Sequence, residues 1–197
     1  MVEKLFGLLY NNYMNTKKHF FTTYDLILSA LFIAFITVGA FIKIPVGPVP
    51  ITLQFIFVLL AGHILKWQSA GIALIIYTVL GVLGIPVFSG GGGLSYVLTP
   101  SFGYIVGFVF AAIIVSLISH NCKQTFLRFL VANFMGLFIV YICGLGYYIL
   151  LNLFYFNKVV DFSLLLITGF VIFIPTDVLF CVLTALISKR IKPILSR

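Results

Sequence analysis

The acidic residue Asp177 lies well inside a predicted membrane helix, where an ionised side chain is costly. The chain has four acidic residues in all, and the others, Glu3, Asp25 and Asp161, lie at or beyond the ends of apolar segments. A carboxylate at the bilayer centre costs at least about 3 kcal/mol, and the predicted spans offer it no lysine or arginine. Such a group is protonated, hydrogen-bonded to side chains, or placed for a ligand that donates N–H groups. We therefore expect Asp177 to be functional, and Pro175, which lacks an N–H, to distort the helix beside it.

A glycine-rich stretch is the second feature with chemical potential. Residues 81–108 read GVLGIPVFSGGGGLSYVLTPSFGYIVGF and separate two apolar segments. Irregular chain is tolerated at membrane depth only outside the apolar core or where it lines a cavity, and glycine lets backbone approach a ligand closely. We predict that the stretch forms the lid and one wall of a ligand pocket; a plain extracellular loop is the alternative. Gln54 can donate and accept hydrogen bonds, so it is a candidate for this pocket or for a helix–helix bond.

Several kinds of chemistry find no support in the residue pattern. No motif fits a nucleophile with its base or a nucleotide site, and the glycine run lacks the Lys-Ser/Thr that ends a phosphate-binding loop. The three cysteines, Cys122, Cys143 and Cys181, share no metal-like or disulfide-like spacing. The sequence therefore predicts a protein that is not an enzyme, with no cofactor, no catalytic residue and no metal site.

The composition is that of a membrane protein. Of the 197 residues 62% are hydrophobic and 8% charged, and the mean hydropathy is +1.24. The apolar runs are long enough to cross a hydrocarbon core of about 30 Å. The net charge of +8 does not suggest nucleic acid as a partner, because basic residues in a membrane protein set its orientation.

Turn and proline signals divide the chain into six predicted spans. Residues 1–22 are predicted to form an N-terminal cytoplasmic leader, and residues 23–197 a single membrane domain. The KIPVGPVP segment at residues 43–50 is expected to be a stiff extended connector, since proline fixes φ. The fold class is thus an all-α integral membrane bundle. The spans are predicted at about Tyr24 to Ile42, Ile51 to Leu65, Ala70 to Leu83, Ser101 to Ser119, Phe129 to Phe156 and Ser163 to Ser188.

The basic residues orient this bundle. With six spans and both termini cytoplasmic, ten of the twelve lysines and arginines fall inside, and only Lys43 and Lys158 fall outside. This asymmetry satisfies the positive-inside rule. It places the glycine-rich stretch and the proline connector on the outer side of the membrane.

The first span carries two small residues, Ala30 and Ala34, one turn apart. Small residues on one helix face let two helix backbones come close where lipid supplies no hydrophobic drive. We predict that this face contacts a partner helix; tight packing within the protein is the alternative.

A set of motifs in this order resembles the BioY family. The resemblance covers nearly all of residues 24–193, and in combination the motifs are specific. They are Gly47-Pro-Val-Pro-Ile-Thr-Leu-Gln54, Val58-Leu-Leu-Ala-Gly62, Gly84-Ile-Pro-Val-Phe-Ser-Gly90, Pro100-Ser-Phe-Gly-Tyr104 with Gly107-Phe108, Tyr141 to Gly144, and Phe173-Ile-Pro-Thr-Asp177.

That family comprises the biotin-binding S-components of energy-coupling factor transporters. The resemblance implies a multi-pass protein of the bacterial cell membrane with six helices and a biotin site near the outer face. It also implies a transmembrane T-component and ATPase subunits as partners, and the Ala30–Ala34 pair looks like the coupling motif of such S-components. One departure is Phe180, at a position where the family usually has a lysine.

Biotin has ureido N–H groups, an apolar bicycle and a carboxylate tail. The Asp177 carboxylate suits the N–H groups, aromatic rings suit the bicycle, and glycine-loop N–H groups with the N-terminus of the fourth helix suit the tail. Two alternatives are an S-component for another small vitamin, which Phe180 permits, and an integral-membrane enzyme using Asp177. A third, a purely structural subunit, leaves the buried acid unexplained. The candidate ligand-binding residues are Gln54, Phe88, Ser89, Gly92, Gly93, Tyr104, Tyr141 and Asp177.

Overall fold

A computed structural model describes residues 22–46, 49–120, 125–156 and 167–195. The predicted leader, residues 1–22, lies outside the described residues except for Thr22. Two short strands, β1 (Lys43–Ile44) and β2 (Ile51–Thr52), accompany the helices. The helices in the described part are α1 (Thr23–Phe41), α2 (Gln54–Ile64), α3 (Trp67–Val82), α4 (Ser101–His120), α5 (Phe126–Phe154) and α6 (Ile174–Leu195), with a 3-10 helix (Leu94–Leu98) before α4 and a π-helix (Ile167–Val171) before α6.

Within the described ranges, four helical segments are long and apolar enough to cross a membrane, which is the pattern of a multi-pass membrane protein. They are α1, α4, α5 and the segment Gly169–Lys192, which contains most of α6. The apolar helices α2 and α3 are shorter, with 11 and 16 residues. At 1.5 Å per residue, α2 reaches only about 17 Å along its axis. The predicted count of six spans therefore stays a prediction.

The start of α1 is fixed by a reciprocal pair of hydrogen bonds. Thr22 Oγ1 accepts from the backbone N–H of Asp25 at 3.2 Å, and the Asp25 carboxylate accepts from the Thr22 backbone N–H at 3.1 Å. This capping box satisfies two N–H groups that the first helical turn leaves without partners. The negative charge also lies at the positive end of the helix dipole.

Antiparallel packing of α4 against α5 forms the centre of the bundle. Glycines on α4 make this contact possible, because a Cβ at Gly107 would lie 2.9 Å from the Val140 Cα atom, and one at Gly103 only 2.3 Å from the Tyr147 Cβ atom. Backbones that approach this closely gain van der Waals contact, which is the main attraction between helices in lipid.

Two regions differ from the sequence-based prediction. The segment predicted to be an extended proline connector turns back on itself, because the chain on its two sides pairs as an antiparallel ribbon, with Lys43 opposite Thr52 and Ile44 opposite Ile51. Residues 47–48 lie outside the described part. The sixth span is predicted at about Ser163 to Ser188, with Pro175 and Asp177 inside it. Residues 163–166 lie outside the described part, and α6 begins only at Ile174, after the π-helix.

Asp177 lies inside the apolar segment Gly169–Lys192, as predicted. The prediction that it lies in the interior of the α-helix is wrong, because α6 begins at Ile174 and Asp177 is in its first turn. Pro175 is the second residue of that helix, a position where the missing N–H would have no helical partner anyway. The proline therefore favours the start of α6 and does not interrupt it.

Candidate functional site

A cavity opens at one end of the bundle, where α2, α4, α5 and α6 meet the glycine-rich loop. About 580 Å³ of empty space lies within it, a figure that includes the open mouth. Its lining is mostly apolar and aromatic, with a few polar groups. The lining residues are Val49, Pro50, Ile51, Thr52, Gln54, Phe55, Ser89, Tyr96, Ser101, Tyr104, Ile105, Phe108, Val140, Tyr141, Phe173 and Asp177.

Asp177 is the charged group of this wall. The Tyr141 hydroxyl donates to its Oδ2 atom at 2.6 Å, and among the described residues it is the one side chain that donates to this carboxylate. A carboxylate has about four acceptor positions on two oxygens. It therefore keeps acceptor capacity for a ligand while Tyr141, whose ring packs edge-on against Phe170, fixes its orientation.

Gln54 joins the cavity to the neighbouring helix. Its Nε2 donates to the Tyr77 hydroxyl at 2.6 Å, and its Oε1 accepts from Thr52 Oγ1 at 3.2 Å. Tyr77 in turn donates to the carbonyl of Val87 in the glycine-rich loop at 2.9 Å. Gln54 thus lines the cavity and also makes a helix–helix hydrogen bond. Its contact with a ligand stays a prediction.

Tyr104 links α4 to the π-helix that precedes α6. Its hydroxyl donates to the Gly169 carbonyl at 2.8 Å, and its ring packs against Gly144, where an added Cβ would meet the ring carbons at 2.5 Å. A π-helix leaves backbone carbonyls out of the regular pattern and is often found at functional sites. Tyr104 therefore holds the chain just before Asp177 in place.

The glycine-rich loop contributes Ser89 and Tyr96 to the cavity wall. Their hydroxyl groups lie within hydrogen-bond distance of each other, 3.1 Å apart. The Ser89 carbonyl accepts a hydrogen bond from Lys43 Nζ. Part of this stretch thus forms a wall of the pocket, as predicted.

Three predicted ligand contacts from this loop, Phe88, Gly92 and Gly93, are not among the lining residues. Phe88 is fully buried and packs edge-on against Tyr77, with the Cζ end of its ring against Gly81.

The glycines are occupied by contacts within the loop. The Gly93 N–H was expected to face an anionic tail, but it donates to the Gly81 carbonyl at 2.7 Å. The Gly91 N–H donates to the Phe88 carbonyl at 3.0 Å. An added Cβ at Gly92 would lie 2.4 Å from the Ile85 carbonyl oxygen. The glycines therefore allow the loop to fold tightly on α3. The N–H groups of Gly91 and Gly93 stabilise this fold through hydrogen bonds within the protein.

Several lining residues were not predicted, among them Thr52, Tyr96, Phe108 and Phe173. Thr52 and Phe173 belong to the motifs that flank Gln54 and Asp177, so their nearness in sequence was the available signal. Phe180, one turn after Asp177, is buried in the core and does not line the cavity.

The two alanines of α1 face away from the rest of the protein. Ala30 and Ala34 are exposed, whereas Phe32 and Ile36 on the other side of the helix are buried. Packing of this alanine pair within the protein, the alternative considered from the sequence, is therefore not observed.

Most of the described basic residues gather at the end of the bundle that is opposite the cavity. Lys66 pairs with Asp25 at 3.2 Å, and Lys192 donates to the Ser119 carbonyl at 2.9 Å and lies over the Phe129 ring. Of the lysines and arginines in the described ranges, the ones at this end are Lys66, Arg128, Lys189, Arg190 and Lys192.

Fold and cavity define a multi-pass α-helical membrane protein with a small-molecule pocket at one end of its bundle. Residues 14–197 match the model of the BioY family. A probable biotin transporter BioY from Lysinibacillus sphaericus is 40% identical over 172 residues, which cover 86% of this chain and 87% of the relative. The biotin transporter BioY of Thermotoga maritima is 37% identical over 169 residues, 85% and 95% of the two chains. The chain therefore belongs to the BioY family.

Solved structures give the same classification of the fold. The crystal structure of the S-component for biotin from an ECF-type ABC transporter superposes with a TM-score of 0.75 at 28% identity, and covers 88% of this chain and 95% of its own. FolT bound with folic acid superposes with a TM-score of 0.60 at 23% identity over 84% and 93% of the two chains. The second similarity concerns the fold alone.

Proposed function

We propose that this protein is the biotin-binding subunit of a biotin uptake system in the bacterial cell membrane. A relative 40% identical over the aligned residues is named a probable biotin transporter, and one 37% identical is named a biotin transporter. The observation that carries the proposal is the Asp177–Tyr141 pair, with its hydrogen bond of 2.6 Å, in the wall of a cavity lined by aromatic side chains.

The chemistry of biotin matches this cavity. Its two ureido N–H groups require acceptors, and the Asp177 carboxylate has acceptor positions beyond the one that Tyr141 uses. The bicycle is apolar and suits the rings of Tyr104, Phe108 and Phe173. Gln54, held by Tyr77, lines the same space with an amide that can donate or accept.

The orientation we propose has six spans, both termini in the cytoplasm and the cavity open to the outside. It is supported by the basic residues described above, five of which lie at the end opposite the cavity. Cytoplasmic segments of membrane proteins are enriched in lysine and arginine. A substrate-binding pocket on the outer side suits uptake from the surroundings.

A T-component and ATPase subunits are the partners we propose for energising transport. The exposed alanine pair of α1, Ala30 and Ala34, supports this part of the proposal, because it offers a smooth helix face that nothing in the described protein covers. The family membership and the names of the relatives favour a transport subunit over a membrane enzyme.

A different small vitamin is the second candidate ligand. Phe180 permits it, since the resemblance implies a lysine at that position and a phenylalanine buried in the core is found instead. The same fold also holds folic acid in FolT.

Equilibrium binding of labelled biotin to the detergent-purified protein tests the proposed function. We expect saturable binding that unlabelled biotin displaces and folic acid does not. Saturable binding of labelled folic acid that biotin does not displace, measured in a parallel assay, would favour the second candidate. Absence of saturable biotin binding to folded protein would contradict the proposed function.

A further inference from the structure

Lys43 stands at the rim of the cavity. It is the first residue of β1 and pairs with Thr52 of β2, and directly paired residues of an antiparallel ribbon project from the same face. Thr52 lines the cavity and donates to Gln54. The ribbon therefore directs the Lys43 side chain to the side of the ribbon on which the cavity lies.

A second contact, from another part of the chain, places the ammonium group. Lys43 Nζ donates to the backbone carbonyl of Ser89, which also lines the cavity. The side chain thus bridges the ribbon and the glycine-rich loop at the mouth, while the residue as a whole stays exposed to solvent. An ammonium group has three donors, so this contact leaves two of them free for a ligand.

The charge of Lys43 is separated from the other basic residues described. Within the described ranges it is the one lysine or arginine at the cavity end. Lys43 follows the end of α1, and the Asp25–Lys66 pair lies at the start of this helix of 19 residues. The length of α1, about 28 Å, therefore separates Lys43 from that pair. At physiological ionic strength charges this far apart are screened from each other, since the Debye length is about 8 Å. An anion at the cavity mouth therefore meets the field of Lys43.

We propose that Lys43 is a specificity-determining residue that binds the carboxylate tail of the ligand, an inference that rests on the proposed function. Its present acceptor, the Ser89 carbonyl, is neutral. A carboxylate makes a charge-assisted hydrogen bond that is roughly twice as strong. Asp177 on the wall repels the same tail, because like charges disfavour each other across a binding site.

These opposite preferences fix the direction in which the ligand enters. The tail stays at the rim beside Lys43, and the uncharged ureido end reaches the Asp177–Tyr141 pair. The position of Phe180, near Asp177, has no positive charge. Lys43 supplies one, and it does so at the carboxylate end of the ligand.

The test compares biotin with its neutral methyl ester on detergent-purified parent, Lys43→Gln and Lys43→Arg proteins. We expect Lys43→Gln to weaken biotin binding by about three- to tenfold, because ion pairs that keep partial solvent access are modest. The affinity for the ester should change by less than about twofold, since the ester offers no charge to Lys43. Lys43→Arg keeps the charge and should preserve the preference for biotin over the ester.

Lys189→Gln is the matched control, because it removes an exposed lysine at the opposite end of the bundle and should change neither affinity. Equal losses for biotin and the ester in Lys43→Gln, or no loss for either, would overturn the role of Lys43. Failure of the parent protein to bind biotin or its ester would instead contradict the proposed function. The two failures are therefore distinguishable.

Discussion

Replacing Asp177 by alanine tests the centre of the proposed site. The carboxylate accepts from Tyr141 at Oδ2 and has acceptor positions left for ureido N–H groups. A hydrogen bond to a charged group contributes about 1.5–3 kcal/mol, and 1.4 kcal/mol corresponds to a factor of ten in affinity. Asp177→Ala should therefore weaken biotin binding by about ten- to more than a hundredfold. Asp177→Asn should lose less, since its carbonyl oxygen still accepts one N–H while its amide adds an unwanted donor.

A double-mutant cycle separates the ligand contact from the support that Tyr141 gives. Tyr141→Phe removes the hydroxyl but keeps the ring, so the carboxylate stays in the cavity without its orienting partner. We expect a smaller loss of affinity than for Asp177→Ala. In the Asp177→Ala background the same change should cost little, because the acceptor of that hydroxyl is already gone.

The assay is equilibrium binding of labelled biotin to purified, folded protein. Asp25→Ala is the matched control, since it removes an aspartate at the other end of the bundle, where it caps α1 and pairs with Lys66. It should lower thermal stability without changing biotin affinity. An Asp177→Ala protein that binds biotin as tightly as the parent would remove Asp177 from the site and refute the reasoning above.

Three further predictions concern topology, coupling and the cavity wall. Protease-sensitive tags at residues 1 and 197 should be protected in intact cells and one at Gly91 should be cleaved; cleavage of the terminal tags would contradict the orientation. Ala30→Trp or Ala34→Trp should abolish energised uptake in cells yet change the biotin affinity by less than about twofold. The indole ring would keep the backbone of a partner helix away from α1 without touching the cavity. An equal loss of biotin binding would assign this face to packing within the protein. Gly144→Ala should weaken biotin binding, since the new Cβ atom would lie 2.5 Å from the Tyr104 ring and displace it. Gly146→Ala on the same helix is the control, because its Cβ atom would meet nothing within 4 Å, and this variant should bind biotin like the parent. Equal affinities of the two variants for biotin would show that the position of the Tyr104 ring does not matter for binding.

The sequence was informative where a polar residue stands out against an apolar background. Asp177 and Gln54 could be singled out because membrane segments rarely carry such groups without a reason, and both line the cavity. Aromatic residues lack this contrast. With 22 phenylalanines and 10 tyrosines in the chain, residue type could not distinguish Tyr96, which lines the cavity, from Phe88, which packs behind it.

The glycine-rich loop shows a different kind of limit. Its composition predicted exposed N–H groups for an anion, but those of Gly91 and Gly93 have acceptors within the loop and at the end of α3. Every buried N–H needs a partner, and tertiary contacts decide whether protein or ligand provides it. The same limit applies to Asp177, which composition assigned to a helix interior and which α6 presents in its first turn.

The position of Asp177 in that first turn bears on how the site works. A carboxylate at a helix N-terminus is stabilised by the positive end of the helix dipole, so the protein can keep an acceptor in the cavity without a neighbouring lysine. This reduces the need for the lysine that the resemblance implies at the position of Phe180. If Asp177 is held by the helix end and by Tyr141, the cation of the site is free to serve the other end of the ligand. Lys43 at the rim, in contact with Ser89, is the described basic residue in a position to do so.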